Sequence, residues 1–236
     1  GNPNTTHIPL CPLKAITGLD CPFCGSLRAV HALTRADVVG ALDHNLISGN
    51  GRGVLVYLSS AVGNEIQGNW IGTDVTGTLP LPNESGIPFD PAGIAVQQGA
   101  IDTLIGGTTA GAGNLIASND PTGVFVAGAA TTGTSILGNS ITGSAGLGIN
   151  VLDQVLPVPV ITELDFDGVD LTVSGTLTAA VDDYRVEVFA NDLCDASGFG
   201  EGQYFLGSID VAAGDFDAGT ASFATVITAP AERSNV

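Results

Sequence analysis

The chain has 236 residues and a formal net charge of −18, with 24 acidic residues against six Lys and Arg. Such an acidic surface repels phosphate backbones, which makes nucleic acid a poor candidate partner. No apolar run reaches the roughly 18 residues that a membrane-spanning helix needs, so we expect no membrane span in this sequence. Since the sequence contains no Met, we expect it to be a processed or excised fragment that begins at Gly1.

Residues 1–44 differ from the rest of the chain in composition. They contain all three histidines and three of the four cysteines, and residues 1–52 carry four of the six basic residues. Apolar residues spaced three to five positions apart predict a helix over residues 26–44, with Ser26 as its N-cap.

The cysteines of this segment leave several kinds of chemistry open. Cys11, Cys21 and Cys24 could bind zinc together with His31. In an oxidising compartment, Cys11 could instead form a disulfide with Cys21 or Cys24. A helix that begins directly after a Cys-Pro-Phe-Cys pair also favours redox chemistry, but the βαβ pattern of a thioredoxin-like fold is missing. Free, buried thiols are the remaining alternative.

The same segment resembles a known family. Cys11-Pro12 with Thr17-Gly18, Cys21-Pro22-Phe23-Cys24-Gly25 and Arg28-Ala29 are similar to the start of a family of small bacterial membrane proteins of unknown function. That family has Thr at the position of Leu27, and it continues into membrane segments that do not follow Asn45 here. The resemblance implies no function, and it indicates a mosaic chain with a junction at Asn45.

From residue 45 to residue 151 the sequence repeats short phrases. Asn45-Leu46-Ile47-Ser48-Gly49-Asn50 returns as Asn114-Leu115-Ile116-Ala117-Ser118-Asn119. Gly followed by an alternating apolar triplet occurs four times, starting at Gly53, Gly93, Gly123 and Gly148. Very short β-type runs that recur every few tens of residues between Gly, Asn and Thr turns are typical of a solenoid.

These phrases predict coils of three short strands each. The first coil contains Val54, Ile66 and Ile71, the second Ile94, Ile105 and Ile116, the third Val124, Ile136 and Ile141, and Ile149 opens a fourth. Val54, Ile94, Val124 and Ile149 should stack in a narrow core. The turn residues Asn45, Asn69, Asn114 and Asn139 should stack likewise and hydrogen-bond one another. Residues 74–92, which are rich in Pro and Gly, are predicted to loop out of the stack.

The repeated residues resemble the right-handed parallel β-helix repeats of bacterial surface and secreted proteins, most clearly over residues 68–78 and 105–114. The resemblance implies an architecture and no activity. Because the open ends of a solenoid expose unpaired backbone groups, we expect the helix over residues 26–44 to cover the N-terminal end.

After residue 156 the pattern changes. Pro157-Val158-Pro159 is predicted to be a linker, and period-two alternation over residues 169–177, 184–190, 204–211 and 221–227 predicts an antiparallel β-sandwich, which is not necessarily complete. Residues 184–191 and 205–208 resemble the small β module that often follows such β-helices. Cys194 is predicted to be a lone buried thiol.

Reactive groups are sparse in the predicted solenoid. It contains Arg52 but no Lys, and its acidic residues are scattered. Polysaccharide lyases need a basic residue, and β-helix hydrolases need clustered carboxylates, so an enzyme is the less favoured interpretation. Asp165, Asp167 and Asp170 could bind Ca²⁺ on a turn, or form an ordinary solvated acidic turn.

The sequence therefore predicts an all-β protein with three parts. A Cys-containing segment with a capping helix (residues 1–44) precedes a right-handed parallel β-helix (45–156) and a β-sandwich module (157–236). We expect a non-catalytic extracellular or cell-surface structural module for adhesion, matrix or filament assembly; a glycan-binding or glycan-cleaving β-helix is the alternative. The expected partners are further copies stacked head to tail, or surface glycans, and Ca²⁺ is the one cofactor considered.

Overall fold

The computed structural model describes residues 44–84, 92–154, 156–193, 198 and 200–228. These residues form β-strands joined by turns, with a short 3₁₀ helix at Ala213–Asp215, so the all-β prediction is confirmed for them. They fall into two compact units: the described residues up to Leu152 together with those between Asp195 and Glu201, and the other described residues from Asp153 onward. The helix predicted over residues 26–44 lies outside the described residues except for His44, which is exposed and not helical.

The first unit contains three sheets in which every pairing is parallel. Sheet 1 has the strand order β1 (Leu46–Ile47), β4 (Trp70–Ile71), β7 (Leu115–Ala117), β10 (Ser140–Thr142). Sheet 2 has the order β2 (Val54–Tyr57), β5 (Ala92–Gln97), β8 (Thr122–Ala127), β11 (Ile149–Val151). Sheet 3 has the order β3 (Glu65–Ile66), β6 (Leu104–Gly106), β9 (Ser135–Leu137). The chain therefore visits sheets 2, 3 and 1 in turn, and we call each such circuit a pass.

The repeated apolar residues occupy the same register position in successive passes. In sheet 2, Val54 pairs with Ile94, Ile94 with Val124, and Val124 with Ile149. Corresponding columns are Ile66, Ile105 and Ile136 in sheet 3, and Ile71, Ile116 and Ile141 in sheet 1. Side chains from all three sheets join one hydrophobic cluster, in which each buried Val or Ile contributes about 1.5–3 kcal/mol relative to an exposed one. Ile149 is 45% exposed, because no further strand of sheet 2 follows it among the described residues.

Residues 74–92 do not form one continuous loop, contrary to the prediction. The chain leaves sheet 1 at the end of β4 and rejoins the stack at Asn83, which belongs to no strand but has a fully buried side chain. Glu84 then forms an isolated parallel bridge with Asp120, and Ala92 already belongs to β5. The physical reason for the return is that Asn83 hydrogen-bonds to equivalent residues of the neighbouring passes.

The second unit contains two antiparallel sheets. Sheet 4 has the order β12 (Pro159–Phe166), β13 (Asp170–Thr178), β17 (Thr220–Thr228), β16 (Phe216–Asp217), and sheet 5 pairs β14 (Tyr184–Ala190) with β15 (Tyr204–Val211). One hydrophobic cluster contains Leu177, Val186, Val211, Ala221 and Phe223. Since these residues come from β13, β14, β15 and β17, sheets 4 and 5 pack against each other.

The predicted linker at Pro157-Val158-Pro159 is wrong at its last residue, because Pro159 begins β12. A Pro is tolerated there since β12 is an edge strand and Pro159 is its first residue. β12 is not among the strands predicted from the sequence. Its alternation of apolar and polar residues is interrupted by a register shift between Ile161 and Glu163, which is a β-bulge.

Candidate functional site

Asn side chains that precede the strands of sheet 1 form a hydrogen-bonded row, which we call the first Asn ladder: Asn45, Asn69, Asn114 and Asn139. Each Nδ2 donates to the Oδ1 of the next pass, from Asn45 to Asn69 at 2.9 Å, from Asn69 to Asn114 at 2.9 Å, and from Asn114 to Asn139 at 2.8 Å. The backbone N–H of Asn69 also donates to Asn114 Oδ1, and the backbone N–H of Asn114 also donates to Asn139 Oδ1. The ladder thereby satisfies polar groups that the stacked strands bury.

A second Asn ladder, made of Asn50, Asn83 and Asn119, follows the strands of sheet 1. Asn50 Nδ2 donates to Asn83 Oδ1 at 3.2 Å, and Asn83 Nδ2 donates to Asn119 Oδ1 at 3.0 Å. Asn83 and Asn119 also donate to the main chain of a neighbouring pass, at Ile47 O (2.8 Å) and Ile71 O (3.0 Å). Both side chains are fully buried, so these bonds replace bonds to water.

The sequence-based predictions missed this second ladder, although a signal was present. The repeated six-residue phrase ends in Asn both at Asn50 and at Asn119, five residues after a member of the first ladder. Asn83 carries no such signal because the insertion over residues 74–82 separates it from β4.

Glu201 lies at the end of the second Asn ladder. Ser144 follows Asn139 by five residues, so it occupies the position that corresponds to Asn119. Ser144 N–H donates to Glu201 Oε1 at 2.9 Å, and Gly143 N–H donates to Glu201 Oε2. In the earlier passes, the backbone N–H of Asn50 donates to Asn83 Oδ1, and that of Asn83 donates to Asn119 Oδ1. At the end of the ladder, Glu201 Oε1 accepts the corresponding bond from the backbone N–H of Ser144.

The three aspartates considered for calcium lie at the hairpin between β12 and β13. Asp167 Oδ1 accepts hydrogen bonds from Asp170 N–H and Val169 N–H, both at 2.8 Å. These two bonds lower the pKa of Asp167, and the bond from Asp170 has the larger effect. They also fix the turn. Within the described part of the chain, the structure does not group three or more Asp, Glu, His or Cys side chains so that they could hold a metal ion, and this includes Asp165, Asp167 and Asp170. Asp167 therefore has a turn-forming role, and calcium binding stays a prediction.

The other candidate ligands, Cys11, Cys21, Cys24 and His31, lie outside the described residues, as does Cys194. Zinc binding, disulfide formation, redox chemistry and free thiols therefore stay open as predictions.

In the first unit, Asp74 also has a turn-forming role. Its Oδ1 accepts bonds from Thr76 Oγ1 and from three backbone N–H groups, and the Thr76 hydroxyl bond is the largest of the causes that lower its pKa.

Comparison with known proteins gives a match to part of the chain. The model of a family described as "Protein of unknown function (DUF2752)" matches residues 11–57, about a fifth of the sequence. The match passes the junction predicted at Asn45 and continues through β2. No curated protein and no solved structure matches the chain. Among the described residues, no helix is long and apolar enough to cross a membrane. Over residues 11–57 the chain is similar to a family of unknown function, and no activity follows from that similarity.

Proposed function

We propose that the first unit is a right-handed parallel β-helix and that the protein is a non-catalytic structural module at the cell surface or outside the cell. The main support for this proposal is that the repeated residues stabilise the stacked sheets. The repeated Val and Ile side chains fill the core, and the repeated Asn side chains hydrogen-bond to one another. The residues that recur from pass to pass therefore have a structural role, as expected for a protein that acts as a rod or a spacer.

Right-handed winding is supported by a general rule. Parallel strands of one sheet that are joined by a crossover connection are right-handed in about 98% of cases. β2 and β5 are neighbours in sheet 2, and the chain between them passes through β3 and β4. Sheets 1, 2 and 3 would then be the three faces of one solenoid, and sheets 4 and 5 the two layers of a β-sandwich.

A location outside the cell is supported by the sequence. Residues 68–78 and 105–114 resemble repeats of secreted and surface proteins, and the net charge of −18 would keep such a protein soluble.

The alternative, a glycan-binding or glycan-cleaving β-helix, would need accessible aromatic rings or paired carboxylates along one sheet. One face of the Trp70 ring is covered by the His44 ring, with the ring centroids 3.6 Å apart and the planes 8° from parallel. Phe125 alternates with the inward-facing Val124 and Val126 in β8, yet it is only 5% exposed. These contacts favour a packing role for both aromatic residues.

Polymer assays and localisation test the proposal together. The purified chain is incubated with pectin, alginate and similar polymers while absorbance at about 235 nm reports unsaturated products, and its retention on each immobilised polymer is measured. A characterised lyase is the positive control and the heat-unfolded chain is the negative control. We expect no product, no retention beyond that of the unfolded chain, and antibody labelling of intact source cells or their medium. Product formation, specific retention or a purely intracellular location would contradict the proposal.

A further inference from the structure

The outer edge of β12 is one of the long sheet edges of the second unit that have no partner strand in the described part of the chain. β12 is an outermost strand of sheet 4 and has 8 residues. On the other side of the sheet, β16 pairs with β17 only at Thr220 and Ala221, so β17 is also unpaired beyond Ala221, but its core-facing Phe223 and Ile227 are buried. Edge strands expose N–H and C=O groups that can pair with another strand, and proteins usually protect them with charged side chains (most often Lys), Pro, bulges or short length. β12 has Pro159 and a bulge in its first half. From Glu163 to Phe166 its pairing with β13 is regular, and it contains neither Pro nor Lys.

An apolar row on β12 lies on the core-facing side of sheet 4. Leu164 pairs with Val173, which is fully buried, and cross-strand partners lie on the same face of a sheet. Ile161 and Phe166 belong to the same row by their register with β13. Yet Ile161, Leu164 and Phe166 are 56%, 61% and 58% exposed. Sheet 5 therefore covers β13 and β17 but leaves this row of β12 uncovered.

The opposite face of β12 is acidic. Glu163 and Asp165 alternate with the apolar row, and both are exposed. Between residues 153 and 228 the sequence has 14 acidic residues and one basic residue, Arg185, which is paired with Glu187 and Asp210. Two copies of β12 placed edge to edge would bring their carboxylates together, which is unfavourable. A strand that carries Lys or Arg on that face is complementary in charge.

We propose that β12 is a docking edge for an extended segment in which basic residues alternate with apolar ones. The segment adds to sheet 4 as a further strand beside β12. Its apolar side chains cover Ile161, Leu164 and Phe166, and its basic side chains lie beside Glu163 and Asp165. Main-chain hydrogen bonds provide affinity, and the alternation of side chains provides selectivity. This inference goes beyond the proposed function and is independent of it, because it uses the second unit alone.

Three labelled peptides test this proposal on the full chain by fluorescence anisotropy. In the first, Lys alternates with Val over eight residues; in the second, Glu replaces Lys; in the third, Ser replaces Val. We expect saturable binding of the Lys–Val peptide with a Kd about tenfold or more below that of either other peptide. Hydrogen exchange should slow at the backbone amides of β12 when this peptide is bound, and not at those of β16. If the Lys–Ser peptide bound as tightly as the Lys–Val peptide, charge attraction alone would explain the binding, and the proposal would be overturned.

Variants locate the binding. Leu164→Ser, and separately Glu163→Gln combined with Asp165→Asn, should each raise the Kd of the Lys–Val peptide about tenfold. Val226→Ser is the matched control: Val226 is 62% exposed on β17, which β13 separates from β12 in the same sheet, and its change should alter the Kd by less than about twofold. Circular dichroism checks that each variant is folded, and Ile161→Ser replaces Leu164→Ser if that variant unfolds. Unchanged binding by the β12 variants, or a dimer in light scattering that β12 substitutions abolish, would overturn the proposal.

Discussion

Replacing Asn114 with Ala removes a buried member of the first Asn ladder. The Oδ1 atom of Asn114 accepts bonds from the backbone N–H and the Nδ2 of Asn69, both at 2.9 Å. Its Nδ2 atom donates to Ile66 O at 2.7 Å and to Asn139 Oδ1 at 2.8 Å. Since Asn114 is 1% exposed, the groups left behind cannot simply turn to bulk water.

The magnitude follows from these four bonds. A typical intramolecular hydrogen bond contributes about 1 kcal/mol net, and a buried polar group that loses its partner costs about 1–3 kcal/mol. Asn139 Oδ1 keeps a bond from the backbone of residue 114, and Asn69 Nδ2 keeps its bond to Gln67 O, which limits the loss. We expect the free energy of unfolding to fall by about 3–4 kcal/mol, a large share of the roughly 5–15 kcal/mol of a typical domain.

Urea unfolding followed by far-UV circular dichroism measures this loss. Asn45→Ala is the matched control, because Asn45 is exposed at the outer end of the same ladder and its side chain donates one bond, to Asn69. That variant should lose about 1 kcal/mol or less. If the two variants lost the same free energy, the reasoning that the ladder stabilises the stack by satisfying buried polar groups would be refuted.

Three further predictions concern the last residue of a strand, the end of the second Asn ladder and a hairpin turn. Gly106 has a φ of 81°, and a Cβ at this position would clash with the carbonyl oxygen of Leu137. Gly106→Ala should therefore lower the free energy of unfolding, measured in urea, by more than about 2 kcal/mol. A loss below about 0.5 kcal/mol would contradict this prediction. Glu201→Ala removes the acceptor of the Gly143 and Ser144 N–H groups, so hydrogen exchange should accelerate at these two amides, and unchanged exchange there would count against the role of Glu201. The pKa of Asp167 is lowered in the folded protein. The ionised Asp167 therefore stabilises the fold above the ordinary Asp pKa of about 3.9, and this contribution is lost as the pH falls through the lower folded pKa. Asp167→Ala should lower Tm more at pH 7 than at about pH 2, and equal decreases in Tm would contradict this prediction.

Much of the first unit could be read from the sequence because each pass reuses the same residue types at the same place. Val or Ile follows Gly in each strand of sheet 2, and Asn precedes each strand of sheet 1. Asn83 could not be placed this way, since an insertion removes the regular spacing on which the comparison of phrases depends. β12 could not be found because its bulge breaks the period of two and because its first residue, Pro159, was assigned to the linker.

The polar contacts were less accessible to sequence reasoning. Glu201 accepts a bond from a residue 57 positions away, and no repeated phrase marks it as the end of a ladder. The spacing of Asp165, Asp167 and Asp170 is compatible both with a turn and with a set of metal ligands. The direction of the Asp167 carboxylate, which faces the backbone N–H groups of its own turn, depends on the folded hairpin and cannot be read from composition.

The central claim is that successive passes stack in parallel with one common register. A crystal structure of the full chain tests this most directly. It should show Val54, Ile94 and Val124 as neighbours in one column of sheet 2, with Asn69 and Asn114 hydrogen-bonded to each other in sheet 1. Antiparallel pairing of β2 with β5, or a register that separates these three aliphatic residues, would contradict the account.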